Sequence, residues 1–267
     1  MTDVPRTPVV FIHGLWLHSS SWQPWVDLFN EKGYDASAPG WPGDADTVEA
    51  TRANADAVAD YGIDAVADHY ATYIKGLPSL PIVIGHSFGG LLVERLLVDG
   101  HARAGVAIDA APIKGVLPLP ISALRVAFTA LKNPGNIDAA VALTAEQFHY
   151  GFGNALTPEE SAELYEKWNI PSPGRPLFQA AGANFNPHAE TAVETDNEDR
   201  GPLLLTMGGK DHTVPEAISK STYKQYRKSK AVTDIVEFPD RGHSLTIDHG
   251  WREVADSVLS WLHEKGL

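Results

Sequence analysis

The chain of 267 residues contains no cysteine. That absence excludes a disulfide framework, a thiolate zinc site, a cysteine nucleophile and a dithiol redox motif. Positive charge is also scarce: 21 Lys and Arg stand against 34 Asp and Glu, a formal net charge of −13 at pH 7. Nucleic-acid binding draws its affinity from neutralised phosphates, so this balance argues against a nucleic-acid partner. One short basic run at 224–230 interrupts it. It reads as a solvated helix end, where cations complement the helix dipole, rather than as an anion patch. Long hydrophobic runs are missing too. The apolar stretch at 9–17 is broken by His13 and Gly14 and is too short to span a bilayer. The opening residues MTDVPRTP carry an acid and two prolines where a signal peptide needs basic residues and an apolar core. The expectation is a protein with no membrane partner and a cytoplasmic location.

Hydrophobic residues make up 43% of the chain and aromatics 9%, the balance of a globular protein. Apolar, β-branched runs at 9–12, 81–84, 105–109, 202–206 and 232–238, with a weaker one at 34–38, predict six strands. Helical stripes alternate with them, at 21–32, 63–76, 89–99 and 251–264; in the first, Trp22, Trp25, Val26 and Phe29 share one face. Residues 44–62 show little periodicity. The alternation predicts an α/β fold, a mostly parallel doubly wound sheet with helices on both faces. Residues 112–201 break the rhythm. They carry no strand signal, many prolines, and two capping boxes, Thr144 to Gln147 and Thr157 to Glu160. They read as a helical lid insertion between two parts of one core, 1–111 and 202–267.

The strongest chemical signal is Gly85-His86-Ser87-Phe88-Gly89, between a predicted strand and a predicted helix. A sharp turn there lifts the serine hydroxyl above the strand ends, with a helix N-terminus beneath it. A serine needs a base. His243 follows the sixth strand and precedes the last helix. Of the other histidines, His13 and His86 read as loop braces, and His18 and His188 as candidates for the mouth of the site. A carboxylate must orient the base. Asp211 follows the fifth strand and gives the order Ser87, Asp211, His243; Asp109, ending the fourth strand at the same rim, is a rival. Oxyanion donors are expected from the backbone amides of Phe88 and Leu15, with Trp16 second to Leu15.

Taken together, His13-Gly14, Gly85 to Gly89, Gly209-Lys210-Asp211 and Gly242-His243 resemble the α/β-hydrolase superfamily, and the motifs span nearly the whole chain. The resemblance implies the fold, a Ser87–Asp211–His243 triad, no cofactor and no metal. The late first strand implies a compact six-stranded core, like that of the esterase and hydroxynitrile-lyase-like branch. A serine nucleophile argues against epoxide hydrolases and haloalkane dehalogenases. The loop His13-Gly14-Leu15-Trp16-Leu17 lacks a proline common in perhydrolases. In the insertion, Phe128, Phe148 and Phe152, with Trp16, are expected to line an apolar pocket for a small-molecule substrate. The expected reaction is hydrolysis of a carboxylic ester or lactone through an acyl-enzyme on Ser87. Perhydrolysis, C–C or amide hydrolysis, cyanohydrin cleavage and a non-catalytic receptor-like role keep the same fold and stay open, as does the oligomeric state.

Overall fold

The computed structural model describes residues 6–267. Its main sheet contains β1 (Pro8–Ile12), β2 (Asp35–Ser37), β3 (Ile82–His86), β4 (Ala104–Ile108), β7 (Leu203–Gly208) and β8 (Thr233–Phe238). A separate two-residue antiparallel pair, β5 (Ala140–Val141) and β6 (Ser172–Pro173), lies inside the interval 112–201, where no strand was expected. The six main strands run in the order β2-β1-β3-β4-β7-β8, and every adjacent pair is parallel.

Strand residues alternate between the two faces of a sheet, and the two core clusters follow that period. Val9, Phe11, Ile82, Ile84, Val106 and Leu204 point to one side, where Trp22 and Trp25 lie. Val10, Ile12, Val83, Ala107 and Leu205 point to the other. The first side is covered by α1 (Gln23–Glu31) and α10 (Trp251–Glu264). The second is covered by α3 (Ile63–Lys75), α4 (Phe88–Val98) and α9 (Glu216–Gln225). The unpatterned residues 44–62 hold one short helix, α2 (Val48–Ala53), and a 3-10 turn.

The interval 112–201 contains α5 (Ile121–Leu131), α6 (Ala145–Gly151), α7 (Pro158–Trp168) and α8 (Arg175–Gly182). Its apolar residues Val126, Leu143, Phe148, Phe152 and Leu164 belong to the same cluster as the helices on the second face. The capping box at Thr144 forms in full, with Gln147 returning its side chain to the Thr144 amide. At Thr157 only half forms. The hydroxyl accepts from the Glu160 amide, but the Glu160 carboxylate is drawn to the amide and ring of His249 instead. A tertiary charge-assisted bond has replaced the local one.

Candidate active site

Ser87 sits at the turn from β3 into α4, with φ 57° and ψ −121°. A non-glycine residue pays for that left-handed backbone, and the surroundings hold it there. The Ser87 amide donates to Ile108 O at 2.9 Å, and its carbonyl accepts from Gly90, Leu91 and Ala111. The end of β1 packs closely on the turn, which requires glycine at the next position but one: a Cβ at Gly89 would lie 2.2 Å from Ile12 O. The side chain stays 5% exposed, facing the loop after β1.

That loop carries Gly14, where a Cβ would lie 2.7 Å from Ser87 Cβ and 3.3 Å from Oγ. Glycine is therefore required for the backbone to approach Ser87 this closely. His13 braces the loop: its Nδ1 bonds Gly14 O, and its Nε2 lies 2.9 Å from Asp44 Oδ2. The neighbouring amides fall into two groups. Trp16 N–H, at a residue with φ 67°, is spent on Ser172 Oγ at 2.6 Å. It is therefore unavailable to an oxyanion. Among the described residues, the amides of Leu15 and Phe88 enter no hydrogen bond within the protein.

The histidine of the site lies on the loop after β8. His243 is fully buried, and its Nδ1 lies 2.6 Å from Asp211 Oδ2. Asp211, in the turn after β7, also accepts from the amides of Thr213 at 2.6 Å and Val214 at 2.8 Å through Oδ1. Burial works against its ionisation, but the imidazole and these hydrogen bonds outweigh it and hold the carboxyl below the usual range. An ionised Asp211 fixes the proton on Nδ1 and leaves the Nε2 lone pair as the basic site. Nε2 has no partner among the described residues, and Ser87 Oγ stands outside hydrogen-bonding geometry with it. The His243 loop is anchored from behind by Asp248, which accepts from Ser244 Oγ and pairs with Arg241.

Two rings pack against His243: His86 at 4.4 Å and Phe152 at 4.8 Å between centroids. Burial, with His243 beside it, drives the His86 pKa well below the ordinary value, so His86 is a neutral spacer. Phe148 stacks on Phe152 at 4.9 Å, and Trp16 meets Phe152 edge-on at 6.4 Å. Thus Trp16, Phe148 and Phe152 are brought to the site, all buried. Phe128 is not. It is 63% exposed on α5 and lines a surface cleft with Arg125, Lys132, Glu146 and Tyr150. His18 is buried and bonded to Ala45 O and Ser20 Oγ, so it braces a loop, and His188 is exposed.

Sequence reasoning missed how residues 150–154 are bonded to the loops that carry Asp211 and His243. Tyr150 O contacts His212 Nδ1, Gly151 O accepts from Thr213 Oγ1, Phe152 O accepts from Ser244 N, and Asn154 Nδ2 donates to Lys210 O. Backbone carbonyls carry most of these bonds, and they have no residue signature. Among the described residues, one group could chelate a metal: Asp109, Asp211 and His243, with ligand atoms within 4.8 Å of one another. The 2.6 Å bond between Nδ1 and Oδ2 needs a proton where a metal would have to bind.

Fold and site together define a class: an α/β fold with a strained serine turn at the strand ends and a buried acid–histidine pair at the same rim. A model of the alpha/beta hydrolase family matches residues 9–257, and the chain belongs to that family. Solved structures of the same fold include a methylesterase from Arabidopsis, with TM-score 0.67 and 15% identity over 96% of this chain and 99% of that one. A monoacylglycerol lipase from Paleococcus ferrophilus has TM-score 0.67 and 19% identity over 97% and 95%. Tomato methylketone synthase I has TM-score 0.70 and 12% identity over 98% and 99%. No curated protein sequence matches the chain significantly.

Proposed function

We propose that the protein is a serine hydrolase that cleaves a carboxylic ester or lactone of a small, largely apolar molecule. The observation that carries this reading is the 2.6 Å bond between buried His243 and Asp211, set at the same strand ends as the strained Ser87. In this cycle Ser87 Oγ attacks the acyl carbon as His243 Nε2 takes its proton. The amides of Phe88 and Leu15 hold the oxyanion. His243 then returns the proton to the departing alkoxide, the C–O bond breaks, and the acyl group stays on Ser87. Water then attacks the acyl carbon as the same nitrogen takes its proton, the bond to Ser87 Oγ breaks, and that proton passes to Oγ as the carboxylic acid leaves. Trp16, Phe148 and Phe152 supply an apolar wall and no charged group, which favours an uncharged acyl portion. Structures with similar folds include an esterase for polyneuridine aldehyde and the methylesterase and lipase named above, all well under 25% identical.

A fluorophosphonate probe and short-chain aryl esters test the reading. Wild type is expected to be labelled and to turn over ester, and Ser87→Ala to do neither. A wild-type protein that is neither labelled nor active overturns the proposal. Asp211→Asn is expected to lower kcat about 10³–10⁴-fold, because the wrong tautomer then faces the serine.

A further inference from the structure

The hydrolytic cycle above leaves one buried carboxyl at the site unused. Asp109 ends β4 with φ 43°, a left-handed conformation that aspartate tolerates better than most residues. It has no solvent exposure. Both of its oxygens lie 3.1 Å from the Gly208 amide, and a Cβ at Gly208 would lie 3.0 Å from Oδ2. Asp211, the neighbouring carboxyl, is buried as well. One oxygen of each lies within 4.8 Å of the other and of a His243 ring nitrogen.

Two buried carboxylates this close repel each other with little water to screen them, so one of them keeps its proton. Asp211 accepts from an imidazole and two backbone amides, whereas Asp109 has one amide shared between its oxygens. The negative charge therefore belongs on Asp211. The other titratable groups facing the pair are His243 and His86, and His86 is neutral. Burial, followed by the charge of Asp211, pushes the Asp109 carboxyl well above the usual range, in the same direction.

We propose that Asp109 is a neutral carboxylic acid that donates a hydrogen bond to Asp211 and, as a positioning residue, limits how strongly Asp211 holds the protonated imidazole of His243. The donated bond draws charge from Asp211. Without it, the acid limb of the pH–rate profile moves to higher pH, because His243 keeps its proton more readily.

Infrared spectroscopy of protein carrying isotope-labelled aspartate tests the protonation state without any assay of activity. Wild type at pH 7 is expected to show the carbonyl stretch of a neutral aspartic acid, lost in Asp109→Asn; labelling aspartate keeps glutamic acids out of the band. Absence of that band in wild type overturns the proposal. The kinetic arm rests on the hydrolytic reading of Ser87 and compares Asp109→Asn, which keeps a donor, with Asp109→Leu, which fills the space without one. The acid limb is expected to stay in place for Asn and to rise by roughly half to one pH unit for Leu. A limb that falls in Asp109→Asn would mean a charged Asp109, and one unmoved in both would mean a purely structural residue. Loss of activity in Asp109→Asn with retention in Asp211→Asn would make Asp109 the orienting acid. Each of these results overturns the proposal. If Asp109→Leu does not fold, the infrared band and the Asn variant still decide it. If wild type proves inactive, the hydrolytic reading fails and the band remains readable.

Discussion

At the scale of the residue, the site is held by contacts of very different kinds. Phe152 is buried, lies edge-on to His243 and stacks on Phe148, so Phe152→Ala leaves a cavity beside His243. A loss of about 3–5 kcal/mol in denaturant unfolding is expected. Phe128, largely exposed, is expected to change stability by under about 0.5 kcal/mol when replaced by alanine. Gly14→Ala places a methyl group against the nucleophile and 2.8 Å from His86 O. It should cut kcat/KM roughly 10²-fold through displaced oxyanion geometry, while fluorophosphonate labelling slows in parallel. Ser87, Asp211 and His243 could be singled out in the sequence because each follows the end of a strand, and a strand end leaves a local pattern. The pocket aromatics were not equally legible. α5 is apolar on both sides: Val126 and Ala130 face inward, while Ile121, Leu124 and Phe128 face solvent. Composition alone does not say which side meets the core.

At the scale of the element, α4 is capped by Ser87 at one end and carries a buried carboxyl near the other. Glu94 accepts a 2.6 Å hydrogen bond from Tyr226 Oη, and burial raises its pKa to about 8 despite that bond and the nearby Arg200. Its ordinary value is 4.5. Below that pH the folded and unfolded chains both carry the proton. Between there and about 8 only the folded chain does, so stability falls as pH rises through this window and levels off above it. The loss is on the order of a few kcal/mol. Glu94→Gln removes this titration, and its melting temperature should decline less than that of wild type between pH 5 and 8. The capping box on α6 gives a simpler test: Thr144→Ala should cost about 1 kcal/mol in unfolding free energy. Both capping motifs were readable as helix starts. The missing half at Thr157 was not, because His249 lies far away in sequence and competes for Glu160 only in the folded chain.

At the scale of the whole molecule, the interval 112–201 is bonded to the core on two sides. On one side its residues 150–154 meet the loops of Asp211 and His243 through the bonds described above. On the other, the loop after β1 is clamped: Ile170 N and Asn169 Nδ2 both donate to Trp16 O, and His18 N donates to Trp168 O. Arg52 reinforces this side through the carbonyls of Tyr165, Glu166 and Asn169. Arg52→Ala should speed amide hydrogen exchange and proteolytic cutting around 165–170 while β3 and β4 keep their protection. Equal loss of protection in the sheet would show that the insertion and core open together.

The sequence by itself determined the parallel α/β core, the order of the strands along the chain and the serine turn. These follow from local rules: the two-residue period of strands, the apolar stripe of helices and the steric demands of a tight turn. The tertiary structure decided the rest. It placed Asp211 rather than Asp109 on His243, spent the Trp16 amide on Ser172, turned Phe128 outward and brought Phe152 onto the base. Those outcomes depend on which distant backbone and side-chain groups meet once the sheet has assembled. Residue type does not record that competition, because it is settled by distance, burial and the pairing of polar atoms.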